Sequence, residues 1–223
     1  FGPDRENGVD RNAFTIIEDT SNFEHVSVGH NHGCGLTRRG GIWCWGSNAQ
    51  GQAPRAGTNK QPIEVRFNGS NSEEAFPDNP FVSIHAGYRH SCARQQQGQV
   101  WCWGQSTHGA LGLGTAGRDA PAQPTQLQNG DGDVLFTDGF WTGPHNSCAA
   151  VGDRYYCWGA QRRLGTLYIN DRNRIDLQDP VVDSNGNPLT SGDSMAIGAY
   201  HACAIDAAGA AYCWGYNSRY QLG

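Results

Sequence analysis

The 223-residue chain has no stretch of about 18 consecutive apolar residues, so nothing in it reads as a membrane-spanning helix. Lysine is nearly missing. Of the 16 basic side chains only Lys60 is not arginine, and no basic cluster exceeds Arg38-Arg39 or Arg162-Arg163. At a net charge of −5 the basic stripe of a nucleic-acid binder is lacking as well, and paired arginines read as solvated turns. Catalytic signatures are also absent. There is no Gly-x-Ser-x-Gly, no phosphate-binding glycine loop and no His-Glu-x-x-His. The chain begins at Phe1 without initiator Met or signal peptide, which suggests a mature or excised piece of a longer product.

Glycine is abundant at 31 residues, as expected for many short strands joined by tight turns. Eight cysteines fall in four near-copies of one pattern. The copies run from Gly29-His-Asn-His-Gly-Cys34 to Cys44-Trp-Gly46, from Gly87-Tyr-Arg-His-Ser-Cys92 to Cys102-Trp-Gly104, from Gly143-Pro-His-Asn-Ser-Cys148 to Cys157-Trp-Gly159, and from Gly198-Ala-Tyr-His-Ala-Cys203 to Cys213-Trp-Gly215. The second cysteines lie 58, 55 and 56 residues apart. Self-similarity at a fixed period marks a repeat architecture, here one domain over residues 1–223.

Each copy owns two cysteines, and pairing within copies is the scheme that keeps the copies equivalent. That gives Cys34–Cys44, Cys92–Cys102, Cys148–Cys157 and Cys203–Cys213. Zinc is the competing reading, but its ligands favour closer C-x2-4-C pairs. Four lasting bridges imply an oxidising, secreted or cell-surface setting, and they leave no free nucleophilic thiol.

A short strand, then a hairpin, reads out of every copy, at about 26–46, 82–104, 139–159 and 195–215. Gly152-Asp153 is a two-residue hairpin signal, and Arg39-Gly40-Gly41, Gln97-Gly98-Gln99 and Ala208-Gly209 mark the equivalent turns. Cysteines placed symmetrically about such turns become cross-strand neighbours within disulfide reach. Side chains alternate along a strand, so Trp43 and Trp45, Trp101 and Trp103, Tyr156 and Trp158, and Tyr212 and Trp214 point away from the sulfurs. A sheet with a sulfur face and an aromatic face needs cover on both sides. Stacking the aromatic face of one copy on the sulfur face of the next supplies it, which predicts a propeller or solenoid.

The segments 47–80, 105–133 and 160–194 do not repeat. Asn129, Asp131 and Asp133 alternate like the opening of a calcium loop, without the closing Glu. Asp183-Ser-Asn185-Gly-Asn187 is similar, and ordinary Asx turns are the competing reading for both. Asn68-Gly-Ser70 is a glycosylation sequon.

Gly-x-x-His-x-Cys-Ala, a glycine turn, aromatic-Cys-Trp-Gly and a later Gly-x-Leu-Gly resemble the repeat of the regulator of chromosome condensation (RCC1) family. Ala86–Ala93 through Val100–Gly104 to Leu111–Gly114 is the best copy. The resemblance covers essentially the whole chain and implies an all-β propeller of four-stranded blades. Four repeats of about 56 residues would make part of a ring of about seven blades, or an open arc. Where nuclear members have an aliphatic and a small residue this chain has paired cysteines, like extracellular relatives. His32, His90 and His201 share one position, expected to hydrogen-bond backbone in tight turns, and Asn146 replaces them in the third copy.

The leading expectation is a secreted, non-enzymatic propeller that binds a protein partner through its variable loops. Arg162, Arg163, Tyr168, Arg172 and Arg174 are the expected contacts, since Tyr and Arg are favoured at binding hot spots. Two alternatives are a structural subunit of an extracellular assembly or filament, self-associating through exposed terminal blades, and a secreted inhibitor of a hydrolase. No cofactor, structural metal, nucleic-acid partner or membrane insertion is expected.

Overall fold

The computed structural model describes residues 22–53, 58–114, 123–129, 132–133, 136, 139–160, 180–192 and 194–223. Blade 1 is an antiparallel sheet of β1 (Phe23–Val28), β2 (His32–Thr37), β3 (Ile42–Ser47) and β4 (Thr58–Glu64), paired in that order. A small hairpin of β5 (Arg66–Phe67) and β6 (Ser70–Asn71) and one turn of helix, α1 (Ser72–Ala75), follow. The sequon asparagine Asn68 and Gly69 form the exposed tip of that hairpin, both at positive φ, as a two-residue Asn-Gly turn requires.

Blade 2 comprises β7 (Phe81–Ala86), β8 (His90–Gln95), β9 (Val100–Gly104) and β10 (Thr125–Gln126). A hairpin of β11 (Gln128–Asn129) and β12 (Gly132–Asp133) leads on to blade 3, built from β13 (Gly139–Thr142), β14 (Asn146–Val151) and β15 (Arg154–Gly159). Blade 4 comprises β16 (Met195–Ile197), β17 (His201–Ile205) and β18 (Ala211–Gly215). The two later sheets are three-stranded. Beside blade 3 the backbone at Val181 bonds to Tyr155, and Thr190 bridges to Arg154.

The repeated residues account for this architecture. The cysteines of each copy lie directly opposite one another, and all four pairs are bridged as spaced in the sequence, with Cα atoms 4.1 Å apart. The hairpin turns fall where the glycines predict. The Trp-Gly glycine is needed for two reasons. Gly46, Gly104 and Gly159 all have φ between 92 and 98°, and a Cβ on each would stand 2.6 Å from the carbonyl of Asn31, Arg89 or His145. Those same carbonyls accept the amides of Ser47, Gln105 and Ala160, which fasten the end of the third strand to the turn before the second.

Both faces of the interior sheets are covered as the alternation demands. Cys34, Leu36, Ile42 and Cys44 of blade 1 pack on Ile84, Ala93, Trp101 and Trp103 of blade 2. Cys92, Val100 and Cys102 pack on Phe140, Ala149, Tyr156 and Trp158, and Cys148, Ala150, Tyr155 and Cys157 on Met195, Ala202, Ala204 and Trp214. The rule is one-way: sulfur face onto the next aromatic face. Each interior bridge, with both sulfurs buried, is therefore part of a hydrophobic core as well as a staple.

Polar groups seal the same junctions. The indole of Trp103 donates to the Gln52 carbonyl and that of Trp158 to the Ala110 carbonyl, while the hydroxyls of Ser91 and Ser147 donate to the same two oxygens. The histidines sit in the expected tight turns. Their main chains close the tight turns, with the amides of Gly29, Gly87 and Gly198 donating to the carbonyls of His32, His90 and His201. The side chain of His32 instead crosses to the next blade, where Nε2 lies 2.9 Å from Ser91 Oγ. Position 202 is alanine where blades 2 and 3 have Ser91 and Ser147. Asn146, the residue that would face it, keeps both side-chain polar atoms buried and unbonded.

Candidate functional site

The inner strands β1, β7, β13 and β16 touch in succession. Their last residues, Val28, Ala86, Thr142 and Ile197, hold equivalent positions and line one cleft of about 350 Å³. The turns that follow form its rim. They approach so closely that a Cβ on Gly87 would stand 2.6 Å from the Gly143 carbonyl. The His30 amide donates to the Tyr88 carbonyl and the Tyr88 amide to the Pro144 carbonyl. Proline has no N–H, so that inter-blade chain of hydrogen bonds ends at blade 3.

Aromatic rings from three blades stand in a row on this rim. The His30 and Tyr88 centroids are 4.2 Å apart, Tyr88 and His145 5.1 Å, and His145 and His108 6.3 Å. The Arg89 guanidinium lies over the Tyr88 ring at 5.2 Å. On blade 4, Tyr200 and Tyr216 form an exposed pair at 6.2 Å. Rigid rings and one stacked cation make a surface suited to a flat or aromatic partner group.

The titratable groups with strongly shifted pKa values lie below this rim, in the blade junctions. Burial holds the His32 ring down to about 4, opposed in part by a hydrogen bond from the ring to the His90 backbone. Burial holds His90 down to about 3, with the nearby His32 and His145 rings adding to the shift, and His85 down to about 4, with Arg94 and His25 adding to it. These rings are neutral packing elements at physiological pH.

Sequence reasoning singled out other residues. Arg162, Arg163, Tyr168, Arg172 and Arg174 lie outside the described residues, as does Asp131 of the calcium-like run. Asn129 and Asp133 of that run sit in the paired strands β11 and β12, each opposite a residue of the other strand. The second acidic run is an Asx turn. The Asp183 carboxylate accepts the amides of Asn185 and Asn187 and the side chain of Asn187, and these bonds hold it below the usual carboxylate range. The rim residues His30, Tyr88, Arg89 and His145 were missed because they occupy the variable positions of Gly-x-x-His. Large, unlike side chains at an otherwise repeating turn were the available signal.

Comparison with known proteins agrees with this geometry. A family model described as "Regulator of chromosome condensation (RCC1) repeat" matches residues 23–52, 81–110 and 193–221, and a second of the same description matches 39–94 and 97–135. The mitochondrial RCC1 domain-containing protein RUG3 of Arabidopsis thaliana is 28% identical over 93% of this chain and 45% of its own length. The crystal structure of human WBSCR16 superposes with a TM-score of 0.72 at 17% identity, covering 94% of this chain and 52% of that one. Prp20p from Saccharomyces cerevisiae gives 0.61 at 16% identity, covering 90% and 45%. The chain thus spans about half the length of these relatives. It belongs to the regulator of chromosome condensation (RCC1) repeat family.

Proposed function

We propose that this chain is a secreted, protein-binding propeller segment with no catalytic activity of its own. The observation that carries the reading is the ring row His30–Tyr88–His145 with Arg89 stacked on it, beside a cleft. Tyrosine and arginine dominate protein-binding hot spots, and rings already braced against one another lose little freedom on binding. Relatives of the same fold support a binding role. One structure is of Kap60 bound to yeast RCC1 (Prp20), and another concerns the binding of Prp20p to Gsp1p and histones. Four disulfides support an oxidising location, and among the described residues no helix is long and apolar enough to cross a membrane. The arginine-rich segment with Arg162, Arg163, Tyr168, Arg172 and Arg174 is a second contact region in this reading.

A photo-crosslinking amino acid at position 88 tests it. The captured protein is then titrated against the wild-type chain and the Tyr88→Ala/Arg89→Ala variant. Loss of about tenfold or more in affinity is expected, since two hot-spot side chains are removed. Unchanged affinity, or no crosslinked protein in material from the native exterior, refutes the assignment.

A further inference from the structure

The described residues separate charge between the two edges of the blades. The turns after the first strands (29–31, 87–89, 143–145 and 198–200) and the segments after the third strands (48–53, 105–114, 160 and 216–223) share one edge. The amides of Ser47, Gln105, Ala160 and Tyr216 donate to carbonyls of those turns and hold the two sets together. In a chain of net charge −5, none of these residues is Asp or Glu. Arg89 and Arg219 stand there, with His30, His108 and His145. Carboxylates gather at the opposite edge. Asp153 and Asp206 lie in its hairpin turns, Glu64 ends β4, and Glu73 and Glu74 lie in α1. Burial, with the charges of Glu73 and Glu74 adding, holds the Glu64 carboxyl above the usual range. Arg38 and Arg39 are at that edge too, in the turn between β2 and β3.

On the carboxylate-free edge, Arg89 is the cation best placed for a partner. Its blade packs on blade 1 and on blade 3 within this chain, so it has a neighbour on each side. The Arg89 carbonyl accepts the Gln105 amide, which fixes its backbone, and the guanidinium lies 5.2 Å over the Tyr88 ring. Among the described residues no carboxylate pairs with it. A guanidinium braced on a ring keeps N–H groups for an acceptor, and a carboxylate suits that fork with two parallel bonds. Tyr88 also lines the cleft with Ala86, Thr142 and Ile197, so an apolar recess lies beside the cation. A phosphate-rich polymer fits less well. It is held by several cations at once, and the described residues of this edge include two guanidinium groups.

We infer that the axial rim captures an acidic segment of a protein partner. One Asp or Glu of that segment pairs with Arg89, and a neighbouring aromatic or aliphatic side chain rests on Tyr88 and in the cleft. This inference rests on the binding role proposed above and adds the chemistry of the partner.

Dodecapeptide arrays probed with the 223-residue chain test it. One set combines Asp and Glu with Phe, Trp and Leu, a second replaces the acids by Asn and Gln, and a third replaces them by Lys and Arg. A single-stranded oligonucleotide is the fourth probe. The wild type should bind the acidic set about tenfold or more tightly than the amide set, the effect of one charge-assisted pair. Arg89→Gln should abolish that preference, Arg89→Glu should turn it toward the basic set, and Arg39→Gln at the opposite edge should leave it unchanged. Near-UV circular dichroism checks that each variant keeps the fold. Equal binding of the acidic and amide sets, binding of no set, a preference that survives Arg89→Gln, or tighter binding of the oligonucleotide overturns the inference. A protein crosslinked at position 88 whose affinity is unchanged when its own acids become amides also overturns it, and leaves the binding role standing.

Discussion

Replacing Cys92 and Cys102 together by alanine, and separately Cys203 and Cys213, divides a disulfide's two contributions. Both bridges close loops with a sequence separation of 10, so the chain-entropy model assigns each about 2.7 kcal/mol. Their surroundings differ. Cys92 and Cys102 are wholly buried against blade 3, whereas Cys203 is half-buried and Cys213 exposed. Removing two buried sulfurs from a packed junction adds about 1 kcal/mol for each, from lost contacts and the cavity left behind. The blade 2 pair should therefore cost about 5 kcal/mol and the blade 4 pair about 3. Urea unfolding followed by tryptophan fluorescence measures both. In a stacked repeat the blade 4 variant should also show an early, partial transition as the end blade frays. Equal losses, or a larger loss for the blade 4 pair, refute the stacking of sulfur faces onto aromatic faces.

Other outcomes follow from single positions. Ala202→Ser gives Asn146 the hydroxyl that His32 finds in Ser91, and should stabilise the chain by about 1 kcal/mol in thermal or urea unfolding, whereas Ser91→Ala should cost about 1–2. The low pKa values of His32 and His90 make stability pH-dependent. In the unfolded chain these rings protonate near 6.5, but in the fold only near 4 and 3. The folded state therefore binds fewer protons, so their contribution is full above pH 6.5 and falls by about 1.4 kcal/mol per unit per ring as pH drops toward those values. His90→Asn should remove about 2 kcal/mol of the stability difference between about pH 6.5 and 5, read from urea midpoints at the two pH values. Gly87→Ala should severely destabilise the fold, because its Cβ would press on the Gly143 carbonyl, and circular dichroism melting would show it.

Much of the architecture was legible because its cause is strictly periodic. A Cys flanked by aromatics on a strand must show sulfur on one side and rings on the other. A glycine two residues past each second Cys must mark a reversal, whatever the loop beyond it. What periodicity could not show is the difference between like residues in unlike places. Tyr212 reads like Trp43, Trp101 and Tyr156, yet 47% of it is exposed, in a blade whose strand β18 pairs with β17 alone among the described residues. Blade 1 has Gly33 and Gly35 where the other blades have serine or alanine. Trp45 therefore lies flat over Gly33 and Phe23 over Gly35, which partly covers an end expected to be bare. The axial rim was hidden for the opposite reason: Tyr88, Arg89 and His145 fill positions where the copies disagree. Their meeting in one row depends on blade-to-blade geometry rather than on spacing within a copy.

The central claim is that each blade is stapled within itself and stacked through that staple. Peptide mapping of the non-reduced protein by mass spectrometry tests it most directly. The account predicts four linked peptides, joining Cys34 to Cys44, Cys92 to Cys102, Cys148 to Cys157 and Cys203 to Cys213. On titration with a mild reductant, the exposed Cys203–Cys213 bridge should open first. A bridge joining two different blades, a cysteine alkylated without reduction, or an interior bridge that opens before the terminal one would contradict it.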